Sequence, residues 1–323
     1  MTVPMLSLVV PMLNEAEMVP ILKERLTEVM GEIGETYEII CVNDGSRDGT
    51  ADLLDAAHEA DGRIKVLHLS RNFGKEIALT AGIDHAQGAA VIAIDADLQD
   101  PPELISEFVR LWRAGHEVVY GQRNERRTDT ALKRMTANAF YRVMGRLARV
   151  DIPAGAGDFR LMDRKVVDAL GQLRERNRFM KGLFSWVGYR QIAVPYRRPR
   201  RAAGRTKFSY WGLWNFALDG ITSQSTVPLR VAGYLGFVVA VISVIYASFL
   251  VIRTLVYGSD VPGYASTIVA VLFLGGVQLI VLGVIGEYLA RIFEETKQRP
   301  LYLVQASRGF DAAVSASTPK TRT

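Results

Sequence analysis

Two stretches without a single charged side chain dominate the last third of the sequence: residues 231–252, 22 in a row, and residues 261–286, 26 in a row. A helix rises 1.5 Å per residue, so the first would span roughly 33 Å, close to the roughly 30 Å hydrocarbon core of a bilayer. Two buried helices of a soluble domain would have the same length and composition. The pairing of two such runs across a short link containing Arg253 and Asp260 predicts a hairpin that crosses a membrane twice, over about 231–253 and 262–286. Gly233, Gly236, Gly275, Gly276 and Gly283 are small enough for the close helix contact that membrane interfaces favour. Lys207 and Arg230 precede the hairpin, and Arg291, Lys297 and Arg299 follow it. By the positive-inside rule both ends are expected in the cytoplasm. The first 11 residues lack the basic start and small-residue cleavage site of a secretory signal.

The segment before the hairpin, Phe208-Ser-Tyr-Trp-Gly-Leu-Trp-Asn-Phe216, is rich in the aromatic side chains that prefer the headgroup level, and predicts an interfacial helix over 208–228. Residues 131–149 repeat Leu132, Met135, Ala139, Val143 and Leu147 at helical spacing among Lys133, Arg134, Arg142 and Arg146. That pattern fits a helix on a lipid surface and, equally, a soluble surface helix. Charge is unevenly spread. Residues 122–149 carry eight basic side chains against two acids, and 190–207 carry seven against none, so these stretches hold +13 of a chain whose net charge is +5. A concentrated positive charge implies a polyanionic partner: nucleic acid, lipid headgroups or a phosphorylated substrate.

The first two hundred residues alternate short apolar runs with helical patterns. Leu6-Ser-Leu-Val-Val-Pro11, Glu38-Ile-Ile-Cys-Val-Asn43, Ile64-Lys-Val-Leu-His-Leu69 and Ala90-Val-Ile-Ala-Ile-Asp95 read as buried strands, and residues 15–30 as a helix. This predicts an α/β domain built on a largely parallel sheet covered on both faces, whose ligands bind at the carboxyl ends of the strands. A single cysteine, Cys41, excludes an intramolecular disulfide framework and multi-cysteine zinc sites, and its place inside an apolar strand reads as a buried structural thiol. The four histidines show no metal-ligand spacing. No G-x-G-x-x-G follows the first strand and no Walker motif is present, which argues against dinucleotide-dependent dehydrogenases and P-loop NTPases. The strand ends are polar: Pro11-Met-Leu-Asn-Glu15, Asn43-Asp-Gly-Ser-Arg-Asp-Gly49 and Asp95-Ala-Asp-Leu-Gln-Asp-Pro101. A pair of carboxylates in one loop is a way to hold Mg²⁺ or Mn²⁺ together with diphosphate oxygens.

In that order and spacing, Val10-Pro-Met-Leu-Asn-Glu15, Val42-Asn-Asp-Gly-Ser46 and Asp95-Ala-Asp-Leu-Gln99 resemble the GT-A core of family 2 glycosyltransferases. Arg71-Asn-Phe-Gly-Lys75, Gly157-Asp-Phe-Arg-Leu-Met-Asp163 and Arg201-Ala-Ala-Gly-Arg-Thr-Lys207, followed by two membrane spans, resemble the polyprenyl-phosphate branch of that family, the bactoprenol glucosyltransferase and dolichol-phosphate mannose synthase group. The likeness covers about residues 5–305. Thr206 stands where relatives commonly carry serine and keeps the hydroxyl.

The resemblance implies a division into a GT-A domain at 1–207, an interfacial helix at 208–228, two transmembrane helices within 229–290 and a cytoplasmic tail at 291–323. It implies a multi-pass protein of the cell membrane, with catalytic domain and both termini cytoplasmic, that acts on no nucleic acid; homo-oligomers stay open. It implies that Pro11, Asn14, Glu15 and Asp44 line the nucleotide pocket. Asp95 and Asp97, with Gln99 as a neutral oxygen ligand, would hold Mg²⁺ or Mn²⁺. Arg201, Arg205 and Lys207 would clamp phosphates, or serve only as the basic flank of the membrane span. Asp44-Gly-Ser46 could instead form a turn and helix cap before Thr50. Asp158 would act as general base or orient the acceptor; alternatively it caps Phe159-Arg-Leu-Met162.

The implied reaction is inverting, metal-dependent transfer of a sugar from a nucleotide-sugar, UDP-glucose or a related UDP-hexose, to polyprenyl phosphate, for cell-envelope glycan modification. Asn177-Arg-Phe-Met180 and Trp186-Val-Gly-Tyr189 resemble the glucosyl branch, although the sugar is not readable from the sequence. Two other readings stay open. One is a processive polysaccharide synthase, whose Gln-x-x-Arg-Trp motif is missing here; the other is an inactive membrane-anchored nucleotide-binding protein.

Overall fold

A computed structural model describes residues 3–123, 155–176, 178–197, 227–258 and 263–310. The described residues divide into an α/β unit and a helical unit, the latter within 227–258 and 263–298.

The α/β unit opens with β1 (Leu6–Met12), α1 (Met18–Ile33), β2 (Tyr37–Asn43), α2 (Thr50–Ala60), β3 (Ile64–Leu69), α3 (Lys75–His85), β4 (Ala90–Ala93) and α4 (Leu104–Arg113). It continues with β5 (Val118–Arg123), β6 (Ala156–Asp163), α5 (Arg164–Gln172), α6 (Met180–Trp186) and β7 (Gln191–Tyr196). Among the described residues the strands form one sheet in the order β7-β5-β6-β4-β1-β2-β3-β8, where β8 is Val304–Arg308. The pairs β1–β2, β1–β4, β2–β3 and β5–β7 are parallel, while β4–β6, β5–β6 and β3–β8 are antiparallel.

Both faces of the central strands are covered, which is why their sequences are nearly continuous apolar runs. Successive side chains still alternate between faces. Leu6, Leu8, Val10 and Met12 join Ile39 and Cys41 in a core with Leu22, Leu26 and Phe108 of the flanking helices. Val9, Ile40 and Val42 point the other way, into a core with Leu79, Val166, Leu170 and Phe184. Cys41 is buried in the first of these cores, and burial pushes its thiol up to about 12, so it is a structural thiol.

The expected tail at 291–323 differs from what is observed. Residues 304–308 form β8, which pairs with β3 at the sheet edge. Just before it Tyr302 is buried, donates its hydroxyl to Asp84 Oδ2 at 3.0 Å and packs near the His85 ring. Val304-Gln-Ala-Ser-Arg308 alternates apolar and polar side chains over only four residues, with alanine as one of its two apolar positions, which is at the lower limit of a readable strand pattern.

The helical unit consists of α7 (Val227–Tyr257) and α8 (Tyr264–Thr296), packed against each other. Both exceed the spans expected at 231–253 and 262–286. By length and composition the segment Phe273–Thr296 is long and apolar enough to cross a membrane, and Val231–Tyr246 is a shorter apolar segment. Their outer surfaces are apolar: Tyr234, Phe237, Val244, Ile245, Leu279 and Ile280 are all exposed. Such a surface marks a protein or membrane contact rather than a water-facing one. The glycines expected at a tight helix contact are not at one. Among the described residues, nothing lies within 4 Å of a Cβ placed on Gly233, Gly236, Gly275, Gly276 or Gly283.

Candidate active site

The loops at the carboxyl ends of β1, β2 and β3 are stitched together. Asn14 has φ 52°; its backbone N–H donates to Ser46 Oγ at 2.9 Å, and its Oδ1 accepts from Arg47 N at 2.8 Å. Glu15 N donates to Thr50 Oγ1 and Ala16 N to Asp48 Oδ2. Gly45 sits at φ +68°, and a Cβ there would lie 2.6 Å from the Arg71 carbonyl carbon and from Asn72 N. Only glycine combines that left-handed backbone with so close an approach.

Asp44 is buried, and its carboxylate accepts from Phe73 N at 2.7 Å and Gly74 N at 2.9 Å, the two residues before α3. Burial pushes this carboxyl up, against those two N–H groups and Arg71. Asp44 therefore does not cap α2: Asp48 Oδ1 accepts from Thr50 N instead. Beside these loops lies a cavity of about 740 Å³, with Asn14, Arg47, Asp55, His68, Arg71 and Arg308 among its lining. Of the four residues expected to line a nucleotide pocket, Asn14 borders this cavity, while Pro11, Glu15 and Asp44 are not among its lining residues.

A second cluster forms where β4 meets β6. Ala93 pairs with Arg160 in this antiparallel register, and two steps further along it sets Asp95 opposite Asp158. Both carboxylates meet the ammonium of Lys75, the first residue of α3. Its Nζ lies 2.7 Å from Asp95 Oδ1, 2.8 Å from Asp95 Oδ2 and 2.7 Å from Asp158 Oδ2. Burial alone would raise the Asp158 carboxyl, but Lys75, followed by Lys181, outweighs it and holds Asp158 well below the usual carboxylate range. Asp95 stays raised by burial, which the attraction of Lys75 does not overcome. Next to Lys75, Glu76 is pushed up to about 7 by burial and then by Asp158, while its Oε2 accepts from Met180 N at 3.0 Å. Asp158 lies within β6, so it does not cap a helix at 159–162. Asp163 has that kind of role, accepting from Lys165 N at the start of α5.

The loop after β4 is tied down from behind. Asp100 is fully buried and accepts from the Tyr196 hydroxyl and from Arg123 Nη2 at 3.4 Å, while Arg123 Nε donates to the Tyr196 oxygen at 3.1 Å. Gly157 lies against this guanidinium: a Cβ there would be 3.2 Å from Arg123 Nη2. Within the loop Asp97 Oδ1 accepts from Gln99 N, and Leu98 between them takes φ 51°. A bulky side chain in left-handed backbone is strained, and such strain clusters at functional sites.

Among the described residues no three His, Cys, Asp or Glu side chains form a complete metal cage. Two aspartates in one loop suit a cation that takes one or two carboxylates and completes its shell with substrate phosphates, as Mg²⁺ does. The Asp95 oxygens already hold a positive charge, that of Lys75, and Asp158 Oδ1 is buried with no hydrogen-bond partner. The donor set fits a hard divalent cation.

Residues 7–171 match the family described as glycosyl transferase family 2, and residues 227–292 match the GtrB C-terminal hairpin. The chain belongs to glycosyltransferase family 2. It is 59% identical to an uncharacterized glycosyltransferase of Synechocystis, across 95% of this chain and 96% of that one. It is 49% identical to the SfII prophage-derived bactoprenol glucosyl transferase of Shigella flexneri, across 94% of this chain and 98% of that one. Among solved structures it resembles mannosyl-3-phosphoglycerate synthase from Rubrobacter xylanophilus, with 19% identity, a TM-score of 0.46, and coverage of 72% of this chain and 75% of that one.

As a family 2 glycosyltransferase the chain carries the expected α/β domain and C-terminal hairpin. Arg201, Arg205 and Lys207, residues 208–226 of the interfacial helix expected at 208–228, and the amphipathic stretch at 131–149 lie outside the described residues, while 227–228 begin α7. Sequence reasoning assigned no role to Lys75, Glu76, Asp100, Arg123 or Tyr196. For Lys75 the only signal was its place at the end of Arg71-Asn-Phe-Gly-Lys75.

Proposed function

We propose that this glycosyltransferase moves a hexose, glucose foremost, from a UDP-sugar to polyprenyl phosphate, inverting the anomeric carbon. The observation that carries this reading is the insertion of a long apolar helical hairpin between β7 and β8, two strands of one sheet. A chain that leaves and rejoins the same sheet must bring both ends of the hairpin back to the same side of any membrane it crosses. The basic flanks then make that side cytoplasmic. An acceptor whose isoprenoid tail stays in the bilayer suits an enzyme anchored in this way. The names of the bactoprenol glucosyl transferases, similar over almost their whole length, support the same acceptor.

The donor's base and ribose are assigned to the loops around Asn14, Glu15 and Asp44, with Pro11 closing β1, and its diphosphate to the loop of Asp95, Asp97 and Gln99. When bound there, Mg²⁺ or Mn²⁺ would neutralise the charge that grows on the departing nucleoside diphosphate. Asp158, held ionised beside Lys75, faces the acceptor. A phosphate monoester with its second pKa near 6 is already largely ionised at neutral pH, so orienting the acceptor is as well supported a role for Asp158 as deprotonating it. One acceptor oxygen bonds to the anomeric carbon as the bond to the diphosphate oxygen breaks on the opposite face, with no covalent enzyme intermediate. Arg201, Arg205 and Lys207 are assigned to the phosphates, Arg through its planar fork and Lys as a point charge.

The test uses the full chain in vesicles containing polyprenyl phosphate and a panel of labelled UDP- and GDP-sugars. Label from one UDP-hexose should enter butanol-extractable lipid. Label that enters only a water-soluble polymer would favour a processive synthase, and no transfer with any sugar would favour an inactive nucleotide-binding protein. Loss of transfer in Arg201→Ala and Lys207→Ala, with membrane retention unchanged on sedimentation, would support phosphate binding by the basic segment. Wild-type kinetics in the triple alanine variant would reduce that segment to a topological flank.

A further inference from the structure

The side chain of Lys75 occupies a position that its own helix does not favour. A cation at a helix N-terminus meets the positive end of the macrodipole, so nothing in α3 itself selects lysine at its first position. What holds the ammonium is the pair of carboxylates opposite it, one from the loop after β4 and one from β6. Its backbone is fixed, because Asp44 anchors Phe73 N and Gly74 N immediately before it. Its side chain is not locked by packing: it is 45% exposed, against 19% for Asp95 and 11% for Asp158. A fixed root and a flexible four-carbon side chain that is half exposed describe a charge that can be relocated.

Lys75 takes both oxygens of Asp95, the carboxylate assigned above to a divalent cation. Two cations cannot share those oxygens at contact distance without strong repulsion. On Asp158 it takes only Oδ2, and Oδ1 is left buried without a hydrogen-bond partner. Without Lys75, two carboxylates within two hydrogen-bond lengths of each other would repel, and one would tend to take up a proton.

We propose that Lys75 is a resident cation and positioning residue of this site: it holds Asp95 and Asp158 together before the donor binds, then yields Asp95 to the incoming divalent cation while keeping Asp158. This rests on the metal assignment made under the proposed function. It makes Lys75 a competitor of the metal in the empty enzyme and an organiser of Asp158 in the loaded one, so its removal should separate two properties that usually fall together.

The experiment measures Mn²⁺ binding to the full chain in detergent, without donor, by electron paramagnetic resonance of free Mn²⁺. It compares wild type, Lys75→Met and Lys75→Arg, with thermal melting to confirm folding. Lys75→Met removes one competing unit charge from the ligand oxygens, so its Mn²⁺ dissociation constant should fall by about tenfold or more. Transfer to lipid acceptor should collapse in the same variant, mainly in kcat. Lys75→Arg keeps the charge, and should keep near wild-type Mn²⁺ affinity and recover part of the rate. Equal Mn²⁺ affinity in wild type and folded Lys75→Met would overturn this proposal alone. Absence of Mn²⁺ binding from both would remove the metal assignment, and this proposal with it.

Discussion

Replacing Asp44 by alanine should unfasten the loop that sets the start of α3. The buried carboxylate accepts two backbone N–H groups, from Phe73 at 2.7 Å and Gly74 at 2.9 Å. Hydrogen bonds to an ionised group contribute about 1.5–3 kcal/mol each, so two amount to about 3–6 kcal/mol. Part is recovered, because alanine no longer holds a charge away from water, a cost visible in the upward push that burial exerts on this carboxyl. The net loss is about 2–4 kcal/mol. For a domain of this size, 1 kcal/mol moves the melting point by about 2–4 °C, which predicts a fall of about 5–15 °C. Asp44→Asn should fall between, since its carbonyl oxygen can accept one N–H while its NH₂ meets the other donor head-on. The assay is thermal melting of the full chain in detergent, with and without UDP, alongside transfer kinetics. Activity should fall with stability, because Phe73 and Gly74 determine where Lys75 begins. A melting point within about 2 °C of wild type, with UDP stabilisation abolished, would refute the anchoring argument and make Asp44 a ligand contact only.

Asp97→Ala should lose transfer yet melt near wild type, and EDTA should abolish transfer that Mg²⁺ or Mn²⁺ restores; full activity of Asp97→Ala in metal-free buffer would contradict the assignment. Tyr196→Phe removes a donor from fully buried Asp100, and should cost about 1–3 kcal/mol in melting experiments while slowing transfer through the loosened loop at 95–100. Truncation after Thr296 deletes β8 and Tyr302, exposing the β3 edge, and should lower the melting point and promote aggregation measured by light scattering. Cys41, with its thiol pushed up to about 12, should resist iodoacetamide at pH 8 in the folded protein and react once denatured, as read by mass spectrometry.

The first four strands were legible because a strand buried on both faces must be largely apolar, and β1 to β4 are, with Ser7, Glu38, Asn43, Lys65 and His68 as the polar exceptions. Their carboxyl ends were legible because polar side chains follow the apolar runs abruptly, as at Asn43 and Asp44, although both of these are buried. The later strands broke the pattern. β6 carries Asp158 and Arg160 inside the sheet, the latter buried with its guanidinium 3.8 Å from the Phe184 ring centroid, and a charged pair in three residues reads as a loop or a cap. β8 is short and lies at an edge. The site was half legible: motifs in single loops announced Asn14, Asp95 and Asp97. Lys75 acquires its meaning from partners 20 and 83 residues away, and Asp44 its anchoring role from partners 29 and 30 residues away. Separations of that kind follow from strand register, which local pattern does not encode.

The anomeric configuration of the lipid product tests the central claim most directly. The full chain in vesicles is given UDP-glucose, whose sugar is α-linked, with polyprenyl phosphate and Mg²⁺, and the butanol-extracted lipid is examined by ¹H and ³¹P NMR. Direct displacement predicts a single glucose joined through one phosphate to the lipid in the β configuration. An α-linked product, a diphosphate-linked one, or glucose found only as polymer or free sugar would contradict the account.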